Sequence, residues 1–141
     1  MENVVIKGRG AIPGKASGHA LVCPSSITGW GGIDPVSGVI KEYDNVNKGE
    51  SIKDRILVMP GSKGSNGWSC YFSVTRTSGA APRGFLFTNV DSSCAVAAVC
   101  LKIPTVVDFP SSSDPCLVIE NGDYVEMDGG TGEVTITKNP S

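Results

Sequence analysis

Leu57-Val58-Met59-Pro60-Gly61-Ser62-Lys63-Gly64-Ser65-Asn66-Gly67-Trp68-Ser69 decides how the whole chain is read. An apolar run, predicted as a strand over Arg55–Val58, passes through a Gly/Ser loop into a predicted helix over Asn66–Ser78, which stops before Gly79 and Pro82. Such a turn points successive backbone N–H groups outward, and the helix dipole adds partial positive charge. A carboxylate or a phosphate is the fitting ligand. Ser65 falls at the N-terminus of that helix, where its alkoxide is best stabilised, and Lys63 adds a full positive charge nearby. The same pattern also fits a plain tight turn in which Ser65 is only the N-cap.

Downstream, Gly84–Phe87 reads as a strand, Ser92–Leu101 as a helix capped by Asp91 or Ser92 and ended before Pro104, and Thr105–Val107 as a further strand. The helix interior from Cys94 to Cys100 is apolar nearly all round, so it is expected to be buried. The order strand, helix, strand, helix, strand predicts a small parallel sheet with right-handed crossovers. Towards the ends, Val4–Lys7, His19–Val22, Asp123–Met127 and Glu133–Thr137 read as antiparallel strands, the last two joined by the turn Asp128-Gly129-Gly130-Thr131-Gly132. The expected fold is α/β: a compact mixed-sheet β/β/α domain with few helices, one domain over residues 1–141. Ligands of such sheets gather at the carboxyl ends of the strands. Pro60–Asn66, Thr88–Ser92 and Asp108–Ser113 are the loops expected there.

Known serine and phosphate motifs do not account for the loop. It lacks the Gly-Lys-Ser/Thr ending of a Walker A sequence, and Gly-x-Ser-x-Gly does not occur around Ser65. His19 is the only histidine and lies far away in sequence, which argues against a Ser–His–Asp triad. Trp30-Gly31-Gly32-Ile33-Asp34-Pro35-Val36-Ser37-Gly38 is a second glycine-rich stretch. It reads either as a structural loop or as one that lays its amides against a substrate. Gly8 to Gly18 reads as a glycine-rich connection between two strands, with Arg9 a surface charge more often than an anion clamp.

The bulk composition narrows the class. With 40% hydrophobic and 18% charged residues and a net charge of −2, the chain is expected to fold as a soluble protein and not to track nucleic acid. No apolar run approaches the roughly 18 residues of a membrane span, and the N-terminus does not read as a signal peptide, so a cytoplasmic location is expected. The five cysteines form no C-x-x-C pair and read as free thiols. With a single histidine, a self-contained metal site is not expected.

Four blocks together resemble the small subunit of aconitase X. They are Gly8-Arg9-Gly10 with the following Pro13-Gly14, the Trp30–Gly38 stretch, Lys48-Gly49-Glu50-Ser51-Ile52 leading into Ile56–Met59, and Pro60-Gly61-Ser62-Lys63-Gly64-Ser65. The resemblance covers roughly residues 4 to 130. It implies a swivelling domain like the mobile domain of aconitase, docked on a large catalytic subunit. That subunit supplies an iron or iron–sulfur centre, which this chain does not hold. It implies that Ser65 is the proton acceptor of a dehydratase acting on a small carboxylate substrate. Gly31, Gly32, Ile33, Asp34, Lys63, Gly64 and Asn66 are the residues expected to bind that substrate.

Two activities fall within the resemblance: dehydration of cis-3-hydroxy-L-proline and dehydration of phosphorylated mevalonate. The aromatic in Asn66-Gly67-Trp68-Ser69 and the absence of a further basic cluster favour the compact ring of hydroxyproline. Phosphomevalonate is the alternative substrate. A non-catalytic regulatory domain that binds an anion in the same loop is a further alternative. A phosphate-transfer domain using His19 is disfavoured, because that histidine sits in a predicted strand.

Overall fold

The computed structural model describes residues 3–23, 33, 34, 36–41, 47–60, 78–88 and 103–138. Its centre is built by three short apolar strands, β4 (Ile56–Met59), β5 (Gly84–Phe87) and β6 (Thr105–Val107), every residue of which is buried. They run parallel, with Leu57 beside Phe85 and Leu86 beside Val106. Strands buried on both faces need apolar side chains on both, and these sequences supply them.

The ends of the chain complete the sheet as antiparallel strands: β1 (Asn3–Lys7), β2 (Arg9–Ile12), β3 (Lys15–Val22), β7 (Tyr124–Asp128) and β8 (Glu133–Thr137). The strand order is β1-β8-β7-β3-β4-β5-β6-β2. Two segments change sheets. In β3, Lys15–His19 pair with β7, whereas Ala20–Val22 pair in parallel with β4. The chain likewise passes from β1, which pairs with β8, to β2, which pairs with β6, through Gly8 alone. Two sheets therefore lie face to face, joined at corners where a strand leaves one for the other.

The period-2 alternation of side chains sorts the core into two layers. Ala20, Val22, Ile56, Val58, Leu86 and Val106 point between the sheets and meet Ile6, Val125, Met127, Val134 and Ile136 from the antiparallel half. Leu21, Leu57, Met59, Phe85 and Phe87 point the other way, where Ile33, Ile40 and Ile52 cover them. The rings of Phe85 and Phe87 stack with centroids 4.9 Å apart. Each fully buried side chain of this kind contributes about 1.5–3 kcal/mol.

The β7–β8 hairpin forms where Asp128 and its glycines predict it. The Asp128 carboxylate accepts the Gly130 N–H at 2.8 Å, and its carbonyl accepts the Gly132 N–H at 2.8 Å. The Gly8–Gly18 segment departs from expectation: it is not a loop but holds β2 and the first half of β3. Its glycines answer to long-range packing. A Cβ on Gly8 would stand 2.6 Å from the Val107 carbonyl oxygen, and one on Gly10 would collide with the carbonyl of Gly129.

The expected helix over Ser92–Leu101 lies outside the described residues. Of the Asn66–Ser78 helix only Ser78 is described. It is helical, and Gly79 follows at φ +82°, the left-handed conformation that ends helices. One short helix was not anticipated: α1 (Pro115–Val118), with Asp114 as its N-cap and Pro115 opening it.

Candidate functional site

The carboxyl ends of β3, β4, β5 and β6 fall on one edge, because these four strands are parallel. Cys23, Pro60, Thr88 and Asp108 are the residues that leave them. Pro60 is the last described residue before Ser65, so the chain enters the Gly/Ser loop from this edge. Ser65 itself, with Gly31, Gly32, Lys63, Gly64 and Asn66, lies outside the described residues.

Around this edge the described side chains form three hydrogen-bonded groups. In the first, the Thr88 hydroxyl donates to Asp114 Oδ1 at 2.9 Å and stands 3.7 Å from Cys116 Sγ. The same carboxylate oxygen accepts the Cys116 N–H at 2.9 Å. Burial pushes the Cys116 thiol up to about 11, the Thr88 hydroxyl opposing the shift, so the sulfur is a neutral thiol at ordinary pH.

In the second group, Asn47 Nδ2 donates to the Val22 carbonyl at 2.5 Å and to Cys23 Sγ at 3.3 Å. Asn121 Nδ2 donates to Asn47 Oδ1 at 2.6 Å, and Asn121 Oδ1 accepts the Val22 N–H at 2.6 Å. Two amide side chains thus tie two turns to the carboxyl end of β3. In the third, Arg9 Nε and Nη2 donate to Asp108 Oδ2 at 2.9 and 2.7 Å. Asp108 is one of two described non-glycine residues at positive φ, at 55°.

Two expected substrate-binding residues are described, and both side chains are engaged elsewhere. Ile33 is 1% exposed and packs in the core beneath the parallel sheet. Asp34 Oδ1 accepts the Val36 N–H at 2.9 Å, and that hydrogen bond holds its carboxyl below the usual range. The turn closes with the Gly38 N–H on the Asp34 carbonyl at 2.7 Å. His19 faces Tyr124 edge-on at 5.4 Å, with Nδ1 3.2 Å from the Gly122 carbonyl oxygen. It belongs to the antiparallel half of β3 and not to the carboxyl edge.

A shallow groove at the amino end of β5 is lined by Lys15, Arg83, Glu126, Asp128 and Glu133, charges of both signs. Among the described residues no cluster of three or more His, Cys, Asp or Glu side chains is arranged to hold a metal ion. The two described cysteines, Cys23 and Cys116, are both free thiols. Neither the Thr88–Asp114 contact nor the Arg9–Asp108 pair was expected from sequence. Asp114-Pro115, an N-cap followed by a proline, was the one local signal.

With this geometry established, comparison with known proteins identifies the family. The family described as "Aconitase X swivel domain" matches residues 5–136, and the chain belongs to it. The phosphomevalonate dehydratase small subunit of Thermococcus sibiricus is 34% identical over 131 residues, 93% of this chain and 97% of that protein. The protein of the same name from Archaeoglobus fulgidus is 41% identical over 121 residues, covering 81% and 91%. The crystal structure of Thermococcus kodakaraensis aconitase X in its holo-form superposes with a TM-score of 0.86 at 29% identity, covering 96% of this chain and 99% of that one. The mixed sheet expected from the resemblance is thus the sheet observed.

Proposed function

We propose that this chain is the small subunit of a two-subunit dehydratase acting on phosphomevalonate, with Ser65 as the proton acceptor. The observation that carries the reading is the match to relatives named phosphomevalonate dehydratase small subunit over nearly the whole length of both chains. It favours phosphomevalonate over cis-3-hydroxy-L-proline, the substrate that Trp68 had suggested. An aromatic two residues beyond the serine's neighbour is a weaker guide than a full-length match.

The reaction removes a proton from the carbon next to a carboxylate and expels a hydroxyl from the following carbon. That proton is barely acidic, so the carboxylate must meet fixed positive charge as electron density moves onto it. Lys63 and the backbone amides of Gly64 and Asn66 are proposed to supply it, with Gly31, Gly32, Ile33 and Asp34 contributing backbone contacts. A serine is a poor base in water; nearby positive charge and donated backbone N–H groups bring its alkoxide within reach, against the desolvation that disfavours it. Ser65 then takes the proton as the hydroxyl departs. The large partner is proposed to hold the iron or iron–sulfur centre, which as a Lewis acid would polarise the leaving hydroxyl.

The test is turnover by the assembled two-subunit complex, offered phosphomevalonate and cis-3-hydroxy-L-proline in parallel. Dehydration of the first with little of the second supports the reading. Preference for hydroxyproline overturns the substrate. Binding of either without turnover turns the reading towards a regulatory anion-binding domain.

A further inference from the structure

The Arg9–Asp108 pair has no part in the chemistry assigned to Ser65, yet it is built with more constraint than a surface ion pair needs. Arg9 opposes Val107, the last residue of β6, in the β2–β6 ladder. It is flanked by Gly8 and Gly10, neither of which has room for a Cβ. The backbone carrying Arg9 is therefore pressed against β6 on one side and the β7–β8 turn on the other. Asp108 turns back onto it through a left-handed backbone, φ 55°.

The pair's geometry leaves binding capacity over. Both Arg9 donors converge on a single oxygen, Asp108 Oδ2. Among the described residues, Arg9 Nη1 has no partner. The Arg9 side chain is 60% exposed on the carboxyl edge. An arginine held by a carboxylate at its Nε side, with its far end open, is oriented to receive an anion. Three inter-strand steps separate β2, which carries Arg9, from β4, about 14 Å at the usual spacing. An arginine side chain and an extended five-carbon phosphorylated acid together span such a gap.

We propose that Arg9, oriented by Asp108, recognises the substrate's phosphate and so determines specificity for a phosphorylated over an unphosphorylated acid. The proposal rests on the phosphomevalonate reading for the identity of the substrate, but the anion site itself can be tested apart from it. The experiment uses the assembled complex carrying Arg9→Gln, Arg9→Lys or Asp108→Asn. It measures KM and kcat for phosphomevalonate and for mevalonate, and the affinity for inorganic phosphate by calorimetry.

Arg9→Gln is expected to raise KM for phosphomevalonate roughly 10- to 100-fold, as for loss of a charged hydrogen bond, with kcat moving less. Phosphate affinity should fall in parallel. Arg9→Lys, which keeps the charge and loses the fork, should fall between, and it serves if the glutamine variant does not fold. Asp108→Asn should weaken phosphate in the same direction by less. Unchanged phosphate affinity in Arg9→Gln overturns the proposal. So does a loss of subunit assembly with phosphate affinity intact, which would make Arg9 a docking contact. Phosphate binding that depends on Arg9 in a complex that ignores phosphomevalonate upholds the anion site and sinks only the substrate reading.

Discussion

The ammonium of Lys138, just past β8, donates to the buried carboxylate of Asp123 at 2.6 Å and to the Val118 carbonyl at 2.9 Å. It thereby ties α1 to the strand that ends the described chain. Asp123 Oδ2 also accepts the Glu120 N–H at 2.9 Å. The Lys138 pKa is raised, first by the hydrogen bond to Asp123. A raised lysine stabilises the fold fully below its ordinary pKa of about 10.4 and loses that contribution as pH climbs through the raised value.

Lys138→Met should therefore destabilise the protein at pH 7 by about 3 kcal/mol, because it leaves a buried carboxylate without its cation. Urea unfolding of the variant and the parent measures it. The gap between the two should narrow as pH is taken above that of ordinary lysines. A gap that stays constant across this range would mean that packing of the lysine stem, and not its charge, carries the effect.

Cys116 should resist alkylation. A thiol at about 11 leaves roughly one molecule in a thousand as thiolate at pH 8. Peptide mapping after timed iodoacetamide treatment of the native protein should find Cys116 among the slow sites. Thr88→Val, which removes the hydroxyl that lowers the pKa, should slow it further. Rapid native labelling of Cys116 would show that the α1 region opens readily.

Two glycine substitutions separate crowding from backbone strain. Gly129→Ala drives a Cβ into the Ile12 carbonyl, whereas Gly49→Ala meets nothing within 4 Å. The first should cost at least about 3 kcal/mol, since neither backbone can give way. The second should cost only about 1 kcal/mol for its positive φ. Equal midpoints in thermal unfolding would refute the close approach of β2 to the hairpin.

Ser65→Ala in the assembled complex should lower kcat by about 10²- to 10⁴-fold, the usual loss for a general base. Solvent exchange of the substrate proton next to the carboxylate should stop as well. Ser62→Ala is the internal control and should retain more activity. If Ser65→Ala turns over within a few-fold of the parent, the serine is only a cap and the base lies on the partner.

The parts legible in the sequence are those governed by neighbours in the chain. Gly84–Phe87 and Thr105–Val107 read correctly because apolar runs bounded by Gly and Pro are strands from local chemistry alone. β2 did not, since Gly8 and Gly10 look like loop residues until β6 and the hairpin are brought against them. β3 was read from His19 onward; the glycine and polar residues of Lys15–Gly18 hid its first half. The site divides in the same way. The loop after β4 announces itself in a run of Gly and Ser, but Arg9 and Asp108 lie 99 residues apart and Thr88 and Asp114 lie 26 apart. Only the strand order brings those pairs to one edge.

β3 belongs to both sheets, and that has a consequence for how the molecule opens. Lys15–His19 are hydrogen-bonded into the antiparallel sheet, and Ala20–Val22 into the parallel one. Neither sheet can peel away without exposing the core that the two share, in which Val22, Val58 and Leu86 meet Val125, Val134 and Ile136. Amides of Leu57 and Val125, one from each sheet, should then exchange with solvent through the same global event. A protease would find no half-open form to trap.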